Sequence, residues 1–160
     1  MDKNVFNSKT YGSLTLSEVV FHIASFLNVE NSKGYRIIIG TDSKPHNLDH
    51  TDYISAIVVH RVGCGAIYFW ERIIERRTYS LKERIYREAI LSLELANNLI
   101  SKFKDVSLLT WPLEIHVDIG NVGETREVIN EVVGMIRGSG FAVKTKPESY
   151  GASTVADRHT

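Results

Sequence analysis

The sequence predicts an α/β domain: a mixed five-stranded sheet, three antiparallel strands and then two parallel ones, with helices packed on it. Three observations lead there. β-Branched and aromatic runs at 36–40, 54–60 and 66–74 follow one another with short breaks, which reads as an antiparallel meander. From residue 80 onward, strand-length runs alternate with helical periodicity, which implies right-handed crossovers and parallel strands. The length of 160 residues fits one domain, 1–160, with 1–33 as an N-terminal extension.

Each element has its own warrant. Residues 1–13 are polar and turn-rich and are expected on the surface. Thr15-Leu16-Ser17-Glu18 matches a capping box, and apolar residues at 19, 20, 23, 24, 26 and 27 continue it as an amphipathic helix over 16–28. Arg36-Ile37-Ile38-Ile39-Gly40 is dense in β-branched residues, as a central strand is. Ser43 to Thr51 is polar and contains Pro45, so a loop is expected there. Ile54–His60 is the second strand, Gly63-Cys64-Gly65 a turn, and Ala66–Ile74 the third strand. Residues 80–103 form a long helix with Ser80 as its cap and Leu81, Ile85, Leu95 and Leu99 on one stripe. Leu113–Asp118, behind Pro112, is strand four. Gly120–Gly123 opens a second long helix, with Val122, Ile129, Val132, Val133 and Ile136 on one side and Gly138-Ser139-Gly140 at its end. Residues 141–145 are strand five, and a last helix starts near Ala152.

Composition excludes several function classes. With 43% hydrophobic and 24% charged residues, the chain is neither disordered, collagen-like nor a simple coiled coil. Nineteen Lys+Arg balance 19 Asp+Glu, which excludes a strongly basic nucleic-acid coat but leaves room for a local basic groove. Cys64 is a lone cysteine, so no internal disulfide forms, and a reducing compartment, the cytoplasm, is expected. Met1-Asp2-Lys3-Asn4 does not begin a signal peptide, and no run approaches the ~18 apolar residues of a membrane span.

Three acids stand out. Asp42 ends the isoleucine strand and Asp118 ends strand four. If those strands are parallel neighbours, the two carboxylates emerge side by side at the strand ends where α/β sheets bind ligands. Two carboxylates that close repel unless a cation or proton lies between them. Each taken alone is also an ordinary turn-capping aspartate. Glu88 lies on the apolar stripe of the long helix with Ser92 beside it. A carboxylate there needs a cation or an arginine such as Arg36, Arg84 or Arg158, whereas Glu83 and Glu94 point elsewhere. Asp157 lies in the last segment behind small residues and is by itself a weak signal. His46, Asp49, His50 and Asp52 form a polar cluster in the expected first loop. Such a cluster either binds a transition metal or is merely solvated. Arg72, Arg76, Arg77, Lys82, Arg84 and Arg87 make a basic region near strand three, either a phosphate contact or a solvated face. Tyr68 and Trp70 either stack on bases or pack. Gly120–Thr125 offers backbone N–H groups to a phosphate but lacks the lysine of a P-loop. If strand three is a sheet edge, a homodimer is one way to cover it.

Gly40-Thr41-Asp42-Ser43 after a strand, Glu88 on the following helix, Asp118 and Asp157 together resemble the ribonuclease H-like superfamily. Ile39–Lys44, Val117–Gly120 and Lys146–Tyr150, with Ala152-Ser153 and Ala156–His159, resemble more narrowly its YkuK-like family, over residues 35 to 160. The resemblance implies that fold and a nuclease acting on nucleic acid, DNA or RNA. It implies Asp42, Glu88, Asp118 and Asp157 as catalytic and metal-holding residues. The metals would be a pair of Mg²⁺ or Mn²⁺ ions, with Asp42 bridging, Glu88 and Asp118 on one ion and Asp157 on the other; such oxygen donors suit hard cations. The histidine that many relatives place before the last carboxylate has no counterpart here. His116, His159 and Ser43 are the candidate auxiliaries. The basic protrusion by which some relatives grip a hybrid duplex is also missing. The alternatives are a non-catalytic nucleic-acid-binding or protein-interaction module of the same fold. An actin-like ATPase would need two such domains.

Overall fold

The computed structural model describes residues 4–27, 34–61, 63, 65–105, 113–120, 123–149, 155, 158 and 159. Its strands are β1 (Phe6–Ser8), β2 (Gly12–Leu14), β3 (Tyr35–His46), β4 (His50–Arg61), β5 (Gly65–Glu75), β6 (Leu113–His116) and β7 (Ala142–Lys144). Its helices are α1 (Leu16–Leu27), α2 (Leu81–Asp105) and α3 (Arg126–Gly138), the last led in by a 3-10 turn at Gly123–Thr125. The order across the sheet is β2-β1-β5-β4-β3-β6-β7. β3, β4 and β5 pair antiparallel, β6 joins β3 in parallel, and β7 joins β6 in parallel.

The sheet is therefore mixed as expected, but it has seven strands, not five. The two additional strands form a hairpin in the stretch expected to be surface. Phe6, 1% exposed, and Leu14, 8% exposed, are drawn into the core, which is why this hairpin joins the sheet. Strands of three residues are too short to show a readable alternation. β1 also pairs with β5 at Asn7↔Trp70, so strand three of the sequence reading is not an edge. The stretch expected as a loop over 43–51 is mostly strand. β3 and β4 form a long hairpin whose turn is only Asn47, Leu48 and Asp49, with Asn47 at φ 51°. Pro45 fits because β6 pairs with β3 only from Ile37 to Ile39. Beyond that point β3 has no second neighbour among the described residues, and a strand edge is where proline is tolerated.

The expected capping box of α1 and the Ser80 cap of α2 form. Thr15 N donates to Glu18 Oε2 at 2.7 Å and Glu18 N to Thr15 Oγ1 at 3.2 Å. Ser80 and Glu83 repeat the exchange at 2.9 and 3.2 Å and start α2. The three helices pack on one face of the sheet, against Ile37, Ile39, Ile57, Val59 and Phe69. On the other face, Ile38, Ile54, Ala56 and Val58 cluster with Val155 of the C-terminal segment. Burial on both faces explains the unbroken isoleucine run of β3. Val155, Arg158 and His159 are helical, while most of the expected last helix lies outside the described residues.

Candidate active site

The pairing of β3 with β6 ends at Ile39↔Ile115, but β3 runs on to His46. The sheet thus opens between the end of β3 and the segment 117–120. This is the carboxyl end of two parallel neighbours, where α/β sheets take their ligands. A cavity of about 180 Å³ lies there, lined by Asp42, Ser43, Arg84, Glu88, Asp118 and Thr125 among others. Three carboxylates from three separate elements thus line one pocket.

Strand alternation sets which side chain faces where. Thr41 and Ser43 point at α2: Thr41 Oγ1 lies 2.8 Å from Ser92 Oγ, and Ser43 Oγ donates to Glu88 Oε1. Asp42 lies between them and so leaves the opposite face, with its cross-strand partner Ile54. That is the face on which Val155 packs. The pocket is consequently flanked by α2 on one face of the sheet, while Val155 packs on the other. Thr41 Oγ1 also lies 2.8 Å from Ser55 Oγ. This buried hydroxyl chain ties α2 to β3 and β4 one helical turn after Glu88, and so fixes where Glu88 is presented.

The electrostatics follow from that placement. Arg84 Nη1 donates to Ser43 Oγ at 3.3 Å, and Lys146 Nζ lies 3.2 Å from Asp118 Oδ1. Burial pushes the Glu88 carboxyl up to about 8; the Ser43 hydrogen bond pulls it down, Asp42 pushes it further up, Arg84 pulls it down and Asp118 pushes it up. Glu88 therefore holds its proton at neutral pH unless a cation joins the pocket.

Of the residues singled out in the sequence, the fold brings Asp42, Ser43, Glu88 and Asp118 together. Asp157 lies outside the described residues. His116 is 1% exposed, with Nε2 2.6 Å from Glu114 Oε1, and does not line the pocket. His159 stacks on Trp70 at 3.8 Å, away from the pocket lining, and its carbonyl accepts from Arg72 Nη2 at 2.6 Å. Among the arginines weighed as partners of Glu88, Arg84 enters the pocket through Ser43, and Arg36 engages Glu114. Glu83 caps α2 and Glu94 is exposed, so neither competes with Glu88. Trp70 and Tyr68 pack against His159. Within the basic region, Arg72 bonds Asp52 at 2.6 Å and Arg87 bonds Glu75 at 2.7 Å. Sequence reasoning missed the approach of Lys146 to Asp118, because nothing in a linear pattern says that the turn after β7 folds back over the end of β6.

Comparison with known proteins agrees with this architecture. The model of the ribonuclease H-like family matches residues 18–160. The protein YkuK of Bacillus subtilis (strain 168), described as uncharacterized, is 31% identical over 173 aligned positions covering 99% of this chain and 98% of that protein. A seven-stranded mixed sheet with β3, β6 and β7 running parallel, acids at the ends of β3 and β6, and a match over nine-tenths of its length place this chain in the ribonuclease H-like family, alongside YkuK.

Proposed function

We infer that this protein is a divalent-metal-dependent nuclease that hydrolyses phosphodiester bonds. The observation that carries the reading is the convergence of Asp42, Glu88 and Asp118 on one pocket, with Arg84 and Lys146 beside them. The donors are all oxygen, and the pocket combines converging negative charge with a carboxyl that burial drives toward protonation. That fits Mg²⁺ or Mn²⁺ rather than a soft metal. Bound there, a pair of such ions supplies an activated water and stabilises the departing oxyanion of an in-line displacement.

The chain's own residues divide the remaining work. Asp42, Glu88 and Asp118 would hold the cations, and the family resemblance assigns Asp157 as a fourth acid. Ser43 orients the Glu88 carboxyl by its hydrogen bond. Lys146 and Arg84 offset the charge of the acids; Lys146, half-exposed on a turn, can swing to an incoming phosphate. Nucleic acid is the partner this family reading implies.

The test is hydrolysis of single-stranded, duplex and hybrid substrates with Mg²⁺ or Mn²⁺. Asp42→Asn is expected to reduce the rate at least about 100-fold, the scale on which single charge-stabilising groups act. Cleavage that survives Asp42→Asn overturns the reading. One observation favours a second reading, a module that binds nucleic acid without turnover. Lys146 already neutralises Asp118, which is how a cation-free pocket would persist. That reading predicts affinity for nucleic acid with no metal-dependent cleavage.

A further inference from the structure

The geometry points to a second metal site, for a borderline transition cation of the Zn²⁺ or Co²⁺ class, built by His46, His50 and Asp52 at the end of the β3–β4 hairpin. His46 and His50 are cross-strand partners, and their rings stack at 4.5 Å with 15° between planes. Asp52, next but one along β4, points to the same face. His46 Nε2 lies 3.2 Å from Asp52 Oδ2, and His50 Nε2 lies 3.6 Å from Asp52 Oδ1. One ligand atom from each residue falls within 4.8 Å of the others. Ligands at about 2.0–2.1 Å from a tetrahedral ion are separated by roughly 3.3–3.4 Å, so small side-chain adjustments close the set around one ion.

Two further observations point to a ligand. Asp52 is 4% exposed, yet its Oδ1 has no hydrogen-bond partner among the described residues. A buried carboxylate oxygen left unmatched beside two imidazoles is a coordination position. The outer contacts are those that metal-binding groups use. His50 Nδ1 lies 2.9 Å from the Asp49 carboxylate, which holds the proton on Nδ1 and leaves the Nε2 lone pair turned toward Asp52. Arg72 Nη1 donates to Asp52 Oδ2 at 2.6 Å and so orients that carboxylate, leaving Oδ1 to ligate.

The site differs in kind from the carboxylate pocket: two imidazole nitrogens and one oxygen select a transition ion, whereas three carboxylates select a hard one. It also has a structural reach. Arg72, which holds Asp52, donates through Nη2 to the carbonyl of His159 at 2.6 Å. An ion on the hairpin thereby stiffens the contact between β5 and the C-terminal segment.

The test does not depend on nuclease activity. The full-length protein is stripped with a chelator and titrated with Zn²⁺ by calorimetry and with Co²⁺ by visible absorption, in excess Mg²⁺ to fill the carboxylate pocket. Wild type is expected to bind one equivalent with a tetrahedral Co²⁺ spectrum. His46→Gln and His50→Gln should weaken binding at least about tenfold, while Asp42→Asn should not. Asp49→Asn, at an exposed position that does not threaten folding, should weaken it about 10- to 100-fold. No transition-metal binding in wild type overturns the proposal. So does binding unchanged in His50→Gln and Asp49→Asn, or binding lost only in Asp42→Asn.

Discussion

Glu88→Gln tests the crowding of charge in the pocket, with opposite signs for stability and function. The Glu88 carboxyl moves from its ordinary 4.5 to about 8 in the fold. A raised carboxyl contributes no penalty below pH ~4.5; stability is then lost as pH rises through about 8. At 1.36 kcal/mol per tenfold change in proton affinity, the ceiling is about 5 kcal/mol. The pocket opens to water, which screens part of this, so about 2 kcal/mol is expected. Glutamine keeps the shape and can still accept from Ser43, but it never ionises. The metal-free variant should therefore match wild type near pH 4.5 and melt about 4–8 °C higher near pH 8, taking 2–4 °C per kcal/mol at this size. Adding Mn²⁺ should raise the melting temperature of wild type and leave that of the variant nearly unmoved, and the variant should lose metal-dependent cleavage. The assay is thermal unfolding across pH 4.5–9 with chelator or Mn²⁺. A variant no more stable than wild type at pH 8, or one that gains from Mn²⁺ as wild type does, refutes the reasoning.

Other substitutions separate the contributions. Glu71, 4% exposed, is pushed up to about 7 by burial, with a hydrogen bond from Asn4 opposing and the Glu94 charge adding. Its stability loss runs from pH ~4.5 up through about 7, so Glu71→Gln should stabilise by about 3 kcal/mol at pH 8 in unfolding experiments, with no dependence on Mn²⁺. Thr41→Val removes a hydroxyl bonded to both Ser55 and Ser92. Denaturant unfolding should show a loss of about 1–3 kcal/mol, and misplacement of α2 should slow any cleavage more than it weakens substrate binding. Lys146→Met frees Asp118 from a half-exposed ion pair. Calorimetry should find stability changed by less than about 1 kcal/mol and Mn²⁺ bound up to about fivefold more tightly.

What the sequence made legible follows from how far each signal reaches along the chain. The capping box at Thr15 and the cap at Ser80 are local signals, and both formed; that Glu83 completes a box with Ser80 is added by the structure. The isoleucines of β3 are buried on both faces, so their run needed no alternation to be read as a central strand. The N-terminal hairpin left no such trace. Its membership of the sheet rests on Phe6 finding the core and Asn7 finding Trp70, contacts made across more than 60 residues. The 43–51 stretch was misread for a related reason. Polar residues and a proline mark a loop only when both sides of the chain face water. Here Ser43–His46 pair with His50–Tyr53, and the edge of β3 beyond Ile39, which β6 does not reach, accommodates Pro45.

The pocket was legible in its acids and illegible in what surrounds them. Asp42 and Asp118 each stand just beyond an apolar run, and Glu88 interrupts an apolar stripe, so each breaks a local rule and becomes visible. Their neighbours break none. Ser43, Thr41 and Ser92 are ordinary residues for a strand edge or a helix, yet their hydroxyls fix α2 and orient Glu88. The same asymmetry governs the hairpin. As a loop, His46, His50 and Asp52 are three polar residues among many. As paired strands, they must share one face, because register sets His46 opposite His50 and period two brings Asp52 beneath them. The correction from loop to strand is thus what turns a solvated cluster into a ligand set.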